Sequence, residues 1–292
     1  MTALQTTPAT KTNAALPVSR VFSRGAFAFA LLCILALVLG PYVVMLLTSL
    51  TPANELTAAG ASIIPNEPTI DAYKELIGTT PFLMYLRNSL LVVLMSVPLT
   101  LLVSTGAAIA LSRFDFRGKK ALTTGLLLAQ MFPAVLLVVS LQGELKTFNL
   151  LDSLLGLALV QSAFATPFST WLLKGFADSI PRELEEAGQI DGATTWQIIR
   201  QILLPLLLPG MVAAGTYAFI LTWNEFLYAL TFTSSNNART LPVGLHLFIG
   251  EYQIRWDLLT AGGVLAVVPV LIGFLVVQKR LVAGLAAGAV KG

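Results

Sequence analysis

The sequence has little charge. Only 11% of its 292 residues are Asp, Glu, Lys or Arg, whereas an ordinary soluble domain carries about 25%. Apolar residues make up 56% of the chain. So few charged side chains cannot form the polar shell that a water-soluble protein of this length needs, which excludes a soluble globular enzyme. The same apolar content excludes an intrinsically disordered chain.

Reactive side chains are also scarce, with one cysteine, Cys33, and one histidine, His246. A single cysteine excludes an intrachain disulfide and a cysteine-based metal site. His246 lies outside the apolar segments, so it gives no base for an intramembrane serine nucleophile. The phosphate-binding pattern GxxxxGK[ST] is absent, because the nearest match, Gly118-Lys119-Lys120, lacks the first glycine and the hydroxyl residue. We therefore expect no cofactor, no metal and no ATP hydrolysis by this chain.

Six apolar windows contain no Asp, Glu, Lys, Arg or His. They cover residues 26–48, 89–110, 121–142, 153–173, 203–222 and 258–277. A helix needs about 20 apolar residues to cross about 30 Å of hydrocarbon, so each window can form one transmembrane helix. The first window follows Arg20 and Arg24 as a signal peptide would, but it is too long and ends without a small-residue cleavage site. The pattern predicts an all-α membrane protein with six transmembrane helices.

The distribution of positive charge predicts the orientation of these helices. Six spans place both termini on one side, and that side holds 13 of the 18 Lys and Arg residues. Positively charged loops stay in the cytoplasm, so the termini and the loops 112–120 and 174–202 are predicted to be cytoplasmic. The outer loops are then residues 49–88, 143–152 and 223–257. We divide the chain into a tail, 1–25, a membrane domain, 26–278, and a second tail, 279–292.

The predicted spans offer only neutral polar groups, such as Gln130 and Gln161. Proton- and ion-coupled carriers use acidic, basic or histidine side chains within the membrane, because a moving charge needs a group that can hold it. The composition of the spans therefore disfavours a charge-relay pump.

The loop 174–202 is the most charged stretch of the chain. Asp178 or Ser179 before Pro181, with Glu183 in the first turn, predicts the start of a helix, and Gly192 predicts its end. A helix of about 11 residues is too short to cross a membrane or to be stable alone, so it needs a surface to pack on.

One face of this predicted helix is flat. Leu184, Ala187, Gly188 and Asp191 share that face, and Arg182 and Glu186 lie at its edge. Two interpretations stay open at this point. The helix either docks against another protein or rests as an amphipathic linker on the lipid headgroups, although helices of the second kind are usually richer in basic and aromatic residues.

The loop contains a specific motif. Residues 186–188 are Glu-Ala-Gly, Gly192 follows, and residues 202–205 are Ile-Leu-Leu-Pro. This spacing resembles the EAA signature of the permease subunits of ATP-binding-cassette (ABC) importers. The resemblance implies that the loop helix is a coupling helix that docks in a cleft of a separate ATPase, with Glu186 facing a basic residue there. The coupling residues implied are Arg182, Glu186, Ala187, Gly188, Gly192, Ile202, Leu204 and Pro205. Gly188 departs from the signature, which often has Ala at this position.

Three further stretches, 223–230 (WNEFLYAL), 240–245 (TLPVGL) and 284–292 (GLAAGAVKG), are similar to the smaller permease of maltose-type carbohydrate importers. Ala286 departs from this pattern, since the family often has Thr there. The resemblance implies the type I importer bundle in a bacterial inner membrane. It also implies a heterodimer with a homologous permease, two copies of an ABC ATPase and an extracytoplasmic sugar-binding protein, with a disaccharide or oligosaccharide as cargo. No nucleic-acid partner is expected.

The last outer loop mixes aromatic and amide side chains, which suit neutral polyols and equally suit the aromatic belt at a membrane surface. By resemblance, part of residues 234–252 contacts the binding protein. Candidate contact residues are Ser234, Asn236, Asn237 and Tyr252. No residue of this chain is assigned to the sugar.

Two alternatives accompany this interpretation. The coupling signature does not encode the solute, so an ABC permease for a polyamine or an osmolyte fits as well. An intramembrane enzyme acting on lipids belongs to a different class, and it predicts turnover by the purified chain alone.

Overall fold

A computed structural model of the protein describes residues 18–57, 62–250 and 252–289. Its helices are α1 (Val18–Ser49), α2 (Ala53–Leu56), α3 (Asp71–Gly78), α4 (Phe82–Arg113), α5 (Lys119–Met131), α6 (Ala134–Thr147), α7 (Leu154–Asp178), α8 (Glu183–Ile190), α9 (Thr195–Ile198), α10 (Leu204–Trp223), α11 (Leu227–Phe232), α12 (Leu241–His246) and α13 (Trp256–Ala289). A π-helical segment, Ile199–Leu203, joins α9 to α10. These ranges contain no β-strand, which confirms the all-α prediction.

Four helices of the described ranges are long and apolar enough to cross a membrane. They are Ala26–Ser49, Phe82–Arg113, Thr195–Trp223 and Trp256–Leu275, and a bent pair, Lys119–Met131 with Ala134–Thr147, makes a fifth if it counts as one span. The remaining predicted window, 153–173, lies in α7 except for Ser153, which is the N-cap of that helix. This helix has 25 residues, about 37 Å at 1.5 Å per residue, so its length suffices to cross the bilayer. The count of six transmembrane helices stays a prediction.

The third predicted window is not a straight helix, because α5 and α6 meet at an angle of 101°. Pro133 has no backbone N–H, and the residue before a proline avoids the helical conformation. Phe132 is accordingly extended, with ψ of 128°. Hydropathy identified the window, but the backbone geometry at this proline divides it into two helices.

The core of the bundle is formed by α4, α7 and α10, which pack against each other. Ala108, Leu173 and Ala214 are fully buried where the three helices meet. Gly210 of α10 lies so close to Phe176 of α7 that a methyl group there would overlap the phenyl ring. Small residues of this kind let membrane helices approach closely, which supplies the packing that lipid alone does not drive.

The two terminal helices, α1 and α13, pack against each other beside this core. Helix α1 begins at Val18, before the predicted first span, and α13 continues to Ala289, beyond the predicted last one. Residues 1–17 of the predicted first tail and 290–292 of the second lie outside the described residues. The apolar side chains of α1 are exposed from Phe27 to Leu46, as expected of a helix with a lipid-facing surface.

Candidate functional site

The loop between α7 and α10 contains the short helix α8, Glu183–Ile190. Glu183 lies in the first turn of this helix as predicted, but the predicted capping residue is wrong, because neither Asp178 nor Ser179 caps the helix. The residue at the N-cap is Arg182, and its side chain makes no capping hydrogen bond. Ser179 instead ends α7, where its hydroxyl donates to the carbonyl of Phe176 at 2.7 Å. The Ser-Pro pattern therefore marks the end of one helix rather than the beginning of the next.

The end of α8 agrees with the prediction from Gly192. This residue has φ of +81°, a left-handed conformation that glycine adopts without steric cost and that commonly ends a helix. The amide of Ala193 donates to the carbonyl of Gly188 at 2.9 Å, which closes the last turn. Thr194 and Gln197 then form a reciprocal capping box that starts α9. The chain therefore turns back after α8, and α9 packs against α8.

Gly188 faces this returning segment rather than an external surface. A Cβ atom at Gly188 would lie 3.0 Å from Cδ1 of Ile202 and 3.4 Å from Cγ1 of Ile198. The face of α8 that the sequence predicts to be flat is therefore covered at Gly188 by Ile198 and Ile202 of the same chain. The two ends of the EAA-like pattern, Gly188 and Ile202, pack against each other, and this contact gives the spacing between them a structural reason.

The remaining motif residues lie where α9 passes into α10. Leu203 is buried with Ile109 of α4 and Ala177 of α7, whereas Leu204 is half-buried and Pro205 is exposed. Pro205 has no N–H to donate to the preceding turn, and its ring needs extra space next to that turn. The wider π-helical turn at Ile199–Leu203 supplies this space, and such turns are frequent at functional sites.

The base of the loop contacts the C-terminal end of α4. Nε of Arg113 and Oε1 of Glu185 form an ion pair 2.5 Å apart, with side chains only 8% and 16% exposed. Nη2 of the same arginine donates to the carbonyl of Ile180 at 3.0 Å. Ser112 donates to Oδ1 of Asp178 at 2.6 Å. We call these contacts of Ser112 and Arg113 with residues 178–185 the loop tether.

Sequence reasoning missed the loop tether. Arg113 lies in the predicted cytoplasmic loop 112–120, and Glu185 is one of several acidic residues in the charged loop 174–202. Nothing local distinguishes either residue, since their pairing depends on the packing of α4 against α7. Arg182, at the predicted edge of α8, also turns inward, and its Nη2 lies 3.4 Å from the carbonyl oxygen of Ser112.

The outer side of the loop is exposed and partly apolar. Leu184 is 43% exposed, Trp196 is 66% exposed and Ile190 is 87% exposed. We call these three residues the loop tip. Ala187 and Glu186 are exposed beside them, and no ion pair or hydrogen bond within the described ranges involves the Glu186 side chain. An apolar patch with an acidic edge is suited to contact with another protein.

The predicted contact residues of the last outer loop have different surroundings. Ser234, Asn237 and Tyr252 are exposed, Tyr252 by 93%. Asn236 is held within the chain, because its Oδ1 accepts a hydrogen bond of 2.8 Å from the Tyr85 hydroxyl. The loop is also fixed at its start by Asp152, whose Oδ1 accepts the amide of Ser234 at 2.7 Å. Asn236 is nevertheless exposed, and only its Oδ1 takes part in these hydrogen bonds, so all four predicted residues stay candidates for contact with a partner.

A second candidate site is a cavity of about 790 Å³ beside the break between α5 and α6. Its walls come from α5, α6, α7, α10 and α11 and are mostly apolar. The polar and aromatic lining residues are Gln130, Phe132, Gln161, Phe164, Tyr217, Glu225 and Tyr228. Ligand-binding cavities commonly combine apolar walls with a few convergent polar groups in this way.

Glu225 brings a carboxylate to the wall of this cavity. Its two oxygens accept the backbone amides of Tyr228 and Ala229 at 2.7 and 3.0 Å, which caps the start of α11. Nε2 of Gln161 donates to Oε2 at 3.3 Å. Burial raises the pKa of Glu225 above its ordinary value, against the opposing effect of these hydrogen bonds. The sequence placed Glu225 in an outer loop, so it gave no sign that this carboxylate contacts Gln161 of a predicted span.

The described residues contain no cluster of three potential metal ligands.

Comparison with known proteins identifies the family. The family described as "Binding-protein-dependent transport system inner membrane component" matches residues 101–286. The sulfoquinovosyl glycerol transport system permease SmoH of Agrobacterium fabrum (strain C58 / ATCC 33970) is 38% identical, over 86% of this chain and 88% of the relative. The trehalose transport system permease SugB of Mycobacterium tuberculosis (strain CDC 1551 / Oshkosh) is 35% identical, over 84% and 89% respectively.

The fold has a solved counterpart. A chain of a bacterial ABC transporter that imports the acidic polysaccharide alginate superposes with a TM-score of 0.77, over 92% of this chain and 99% of that chain, at 21% identity. This likeness concerns the fold, whereas the family match and the two relatives confirm the predicted resemblance to ABC importer permeases and the expectation that the chain is a transporter subunit. The chain belongs to the family of inner-membrane permease components of binding-protein-dependent ABC transport systems.

Proposed function

We propose that the chain is the permease subunit of an ATP-driven importer of disaccharides or oligosaccharides and forms half of its translocation pathway. Relatives named for the transport of sulfoquinovosyl glycerol and trehalose support a sugar as the solute. A homologous permease completes the pathway as a heterodimer, two ABC ATPase subunits bind on the cytoplasmic side, and a sugar-binding protein delivers the solute from outside.

In this proposal six helices span the inner membrane of a bacterial cell, with α7 as one span and the bent pair α5 and α6 as another. Both termini and the loop that contains α8 face the cytoplasm, in agreement with the excess of Lys and Arg on that side. Outside, Ser234, Asn236, Asn237 and Tyr252 are the candidate residues for contact with the binding protein.

The observation that carries the proposal is the difference between the tip and the base of the loop that contains α8. Its tip, Leu184, Ile190 and Trp196, is exposed, whereas its base is joined to α4 through the buried pair of Arg113 and Glu185. A rigid connection of this kind transmits a displacement of the tip to a helix of the core. A change from 1:99 to 99:1 between two states of the bundle requires about 5.5 kcal/mol of differential binding. An ATPase dimer that binds two such loops, one from each permease subunit, can supply this free energy.

We expect Glu186→Lys to reduce sugar uptake by about tenfold or more and to prevent copurification of the ATPase. Glu186 is exposed beside the loop tip, so the substitution leaves the fold intact but places a positive charge against the basic partner that the proposal assigns to it. Like charges across an interface cost several kcal/mol, where 1.4 kcal/mol is already tenfold. The measurements are uptake of radiolabelled sugars by cells and pull-down of the ATPase by the tagged permease.

Glu144→Lys is the matched control, because Glu144 is exposed near the opposite end of the bundle. It makes the same change in charge without touching the loop. Normal uptake and a normal amount of bound ATPase in Glu186→Lys would show that α8 is not the coupling helix.

The alternative importers differ in the solute that they transport, so a solute test distinguishes them. A purified complex supplied with its binding protein and tested with trehalose, maltose, spermidine and glycine betaine distinguishes a sugar permease from one for a polyamine or an osmolyte. An intramembrane lipid enzyme is not proposed, since the family consists of transport components.

A further inference from the structure

We propose that the cavity between α5, α6, α7, α10 and α11 is a site at which this subunit contacts the solute. The side chains of Gln161 and Glu225 accept hydrogen bonds there from the hydroxyl groups of a neutral sugar. This inference rests on the proposed function and adds to it the residues that meet the cargo.

An unpartnered acceptor marks the site. Gln161 is 2% exposed, and its Nε2 is used by Oε2 of Glu225 at 3.3 Å. Its Oε1 has no hydrogen-bond partner among the described residues. A buried amide oxygen without a donor is unfavourable, because it has lost its hydrogen bonds to water. A ligand that donates a hydroxyl to Oε1 would satisfy this oxygen.

The second acceptor is the carboxylate of Glu225. Its oxygens accept two backbone amides and the Gln161 side chain, whereas a carboxylate has about four acceptor positions. The backbone amide of Leu227 also lies close enough to lower the pKa of this carboxylate, so a ligand hydroxyl would share the remaining position with that amide. Two acceptors side by side select a ligand rich in hydroxyl groups and repel an anionic one.

The apolar walls suit a sugar more than a polyamine. The rings of Phe164 and Tyr228 line the cavity and stack with centroids 5.0 Å apart, so they add aromatic surface beside the polar pair that can contact the C–H groups of a sugar ring. The charge of Glu225 is directed largely at the first amides of α11, and burial raises its pKa. Both effects weaken the attraction that this carboxylate exerts on a polycation.

The size of the cavity agrees with this assignment. Its volume of about 790 Å³ lies within the range of about 300–1,000 Å³ typical of small-molecule sites. Gln130 lines the α5 side and donates to the carbonyl of Phe164 at 3.2 Å, which fixes the broken helix against α7. The site is therefore held by several elements and not by one mobile loop.

Two substitutions test the proposal in the complete importer reconstituted in proteoliposomes with its binding protein. Gln161→Leu removes the free acceptor, and Ala163→Trp fills the cavity without removing a hydrogen bond. We expect each to lower the uptake of the best neutral sugar among trehalose, maltose and chitobiose by about tenfold or more. Stimulation of ATP hydrolysis by the loaded binding protein is expected to persist, because the loop that contains α8 is untouched.

The matched controls are Gln142→Leu and Leu159→Trp, which change exposed residues outside the cavity lining. Copurification of the ATPase with every variant checks folding and assembly. Wild-type uptake by both cavity variants would overturn the inference and leave the proposed function standing. Failure of the wild-type complex to import any of the three sugars would overturn the proposed function, and the inference with it.

A labelling experiment reports on occupancy directly. Cys33 is the single cysteine, so Cys33→Ser combined with Ala163→Cys gives one thiol at the cavity wall. We expect the transported sugar to slow the reaction of this thiol with N-ethylmaleimide in the complete complex, and spermidine to have no effect. Equal labelling rates with and without the sugar would show that the cavity is a packing surface for the second permease instead.

Discussion

Replacing Glu185 by alanine is expected to abolish ATP-driven uptake and to lower the stability of the subunit. The substitution leaves Arg113, 8% exposed, without its counter-ion. Breaking one partner of a buried ion pair costs about 3–5 kcal/mol, because the remaining charge stays out of water. The loop that contains α8 also loses its main attachment to α4. The measurements are uptake in proteoliposomes and the thermal unfolding of the purified complex.

Glu183→Ala serves as the control, since Glu183 is an exposed acid on the same helix. Glu185→Gln is expected to have an intermediate effect, because the amide still offers an acceptor to Arg113 but carries no charge. If the complex with Glu185→Ala hydrolysed ATP in response to the binding protein and imported sugar at the wild-type rate, the loop tether would have no part in coupling.

Replacing Gly244 by alanine is expected to destabilise the protein by about 1–3 kcal/mol, the usual cost of adding a methyl group to a packed core. A Cβ atom at Gly244 would overlap the ring of Tyr85. This ring cannot move freely, because its hydroxyl donates to Asn236 at 2.8 Å. The expected result is a melting temperature several degrees lower, measured on the purified complex.

Gly143→Ala is the matched control and is expected to act in the opposite direction. Gly143 lies inside α6 with open space around its Cα, so alanine adds helix propensity of up to about 1 kcal/mol without a clash. Equal melting temperatures for the two variants would contradict the packing of α12 against α4.

The sequence predicted the helical elements well where a single physical property determines them. Hydropathy located the helices that contain windows 26–48, 89–110, 203–222 and 258–277, and the glycine at position 192 indicated the end of α8. The same property failed in window 121–142, because Pro133 breaks the helix without lowering the hydropathy. Local capping rules also failed at Ser179, since tertiary packing extends α7 to Asp178.

The interactions of the two candidate sites were not predictable from local patterns. Arg113 and Glu185 lie on separate elements, and so do Gln161 and Glu225. Only the packing of α4, α7 and α10 brings these pairs together. Similarity to a family located the loop motif, but it did not show that Gly188 packs on Ile198 and Ile202 or that Asn236 is engaged with Tyr85.

The break between α5 and α6 limits which side of the subunit can face the lipid. Carbonyl groups at the end of α5 and amides at the start of α6 lack the hydrogen bonds that a continuous helix would give them. Hydrocarbon tails cannot replace these bonds, so irregular backbone at this depth must face protein or water. In the proposed arrangement, with the bent pair as one span, the side of the subunit that carries Phe132 and Pro133 therefore faces protein or water and not the acyl chains.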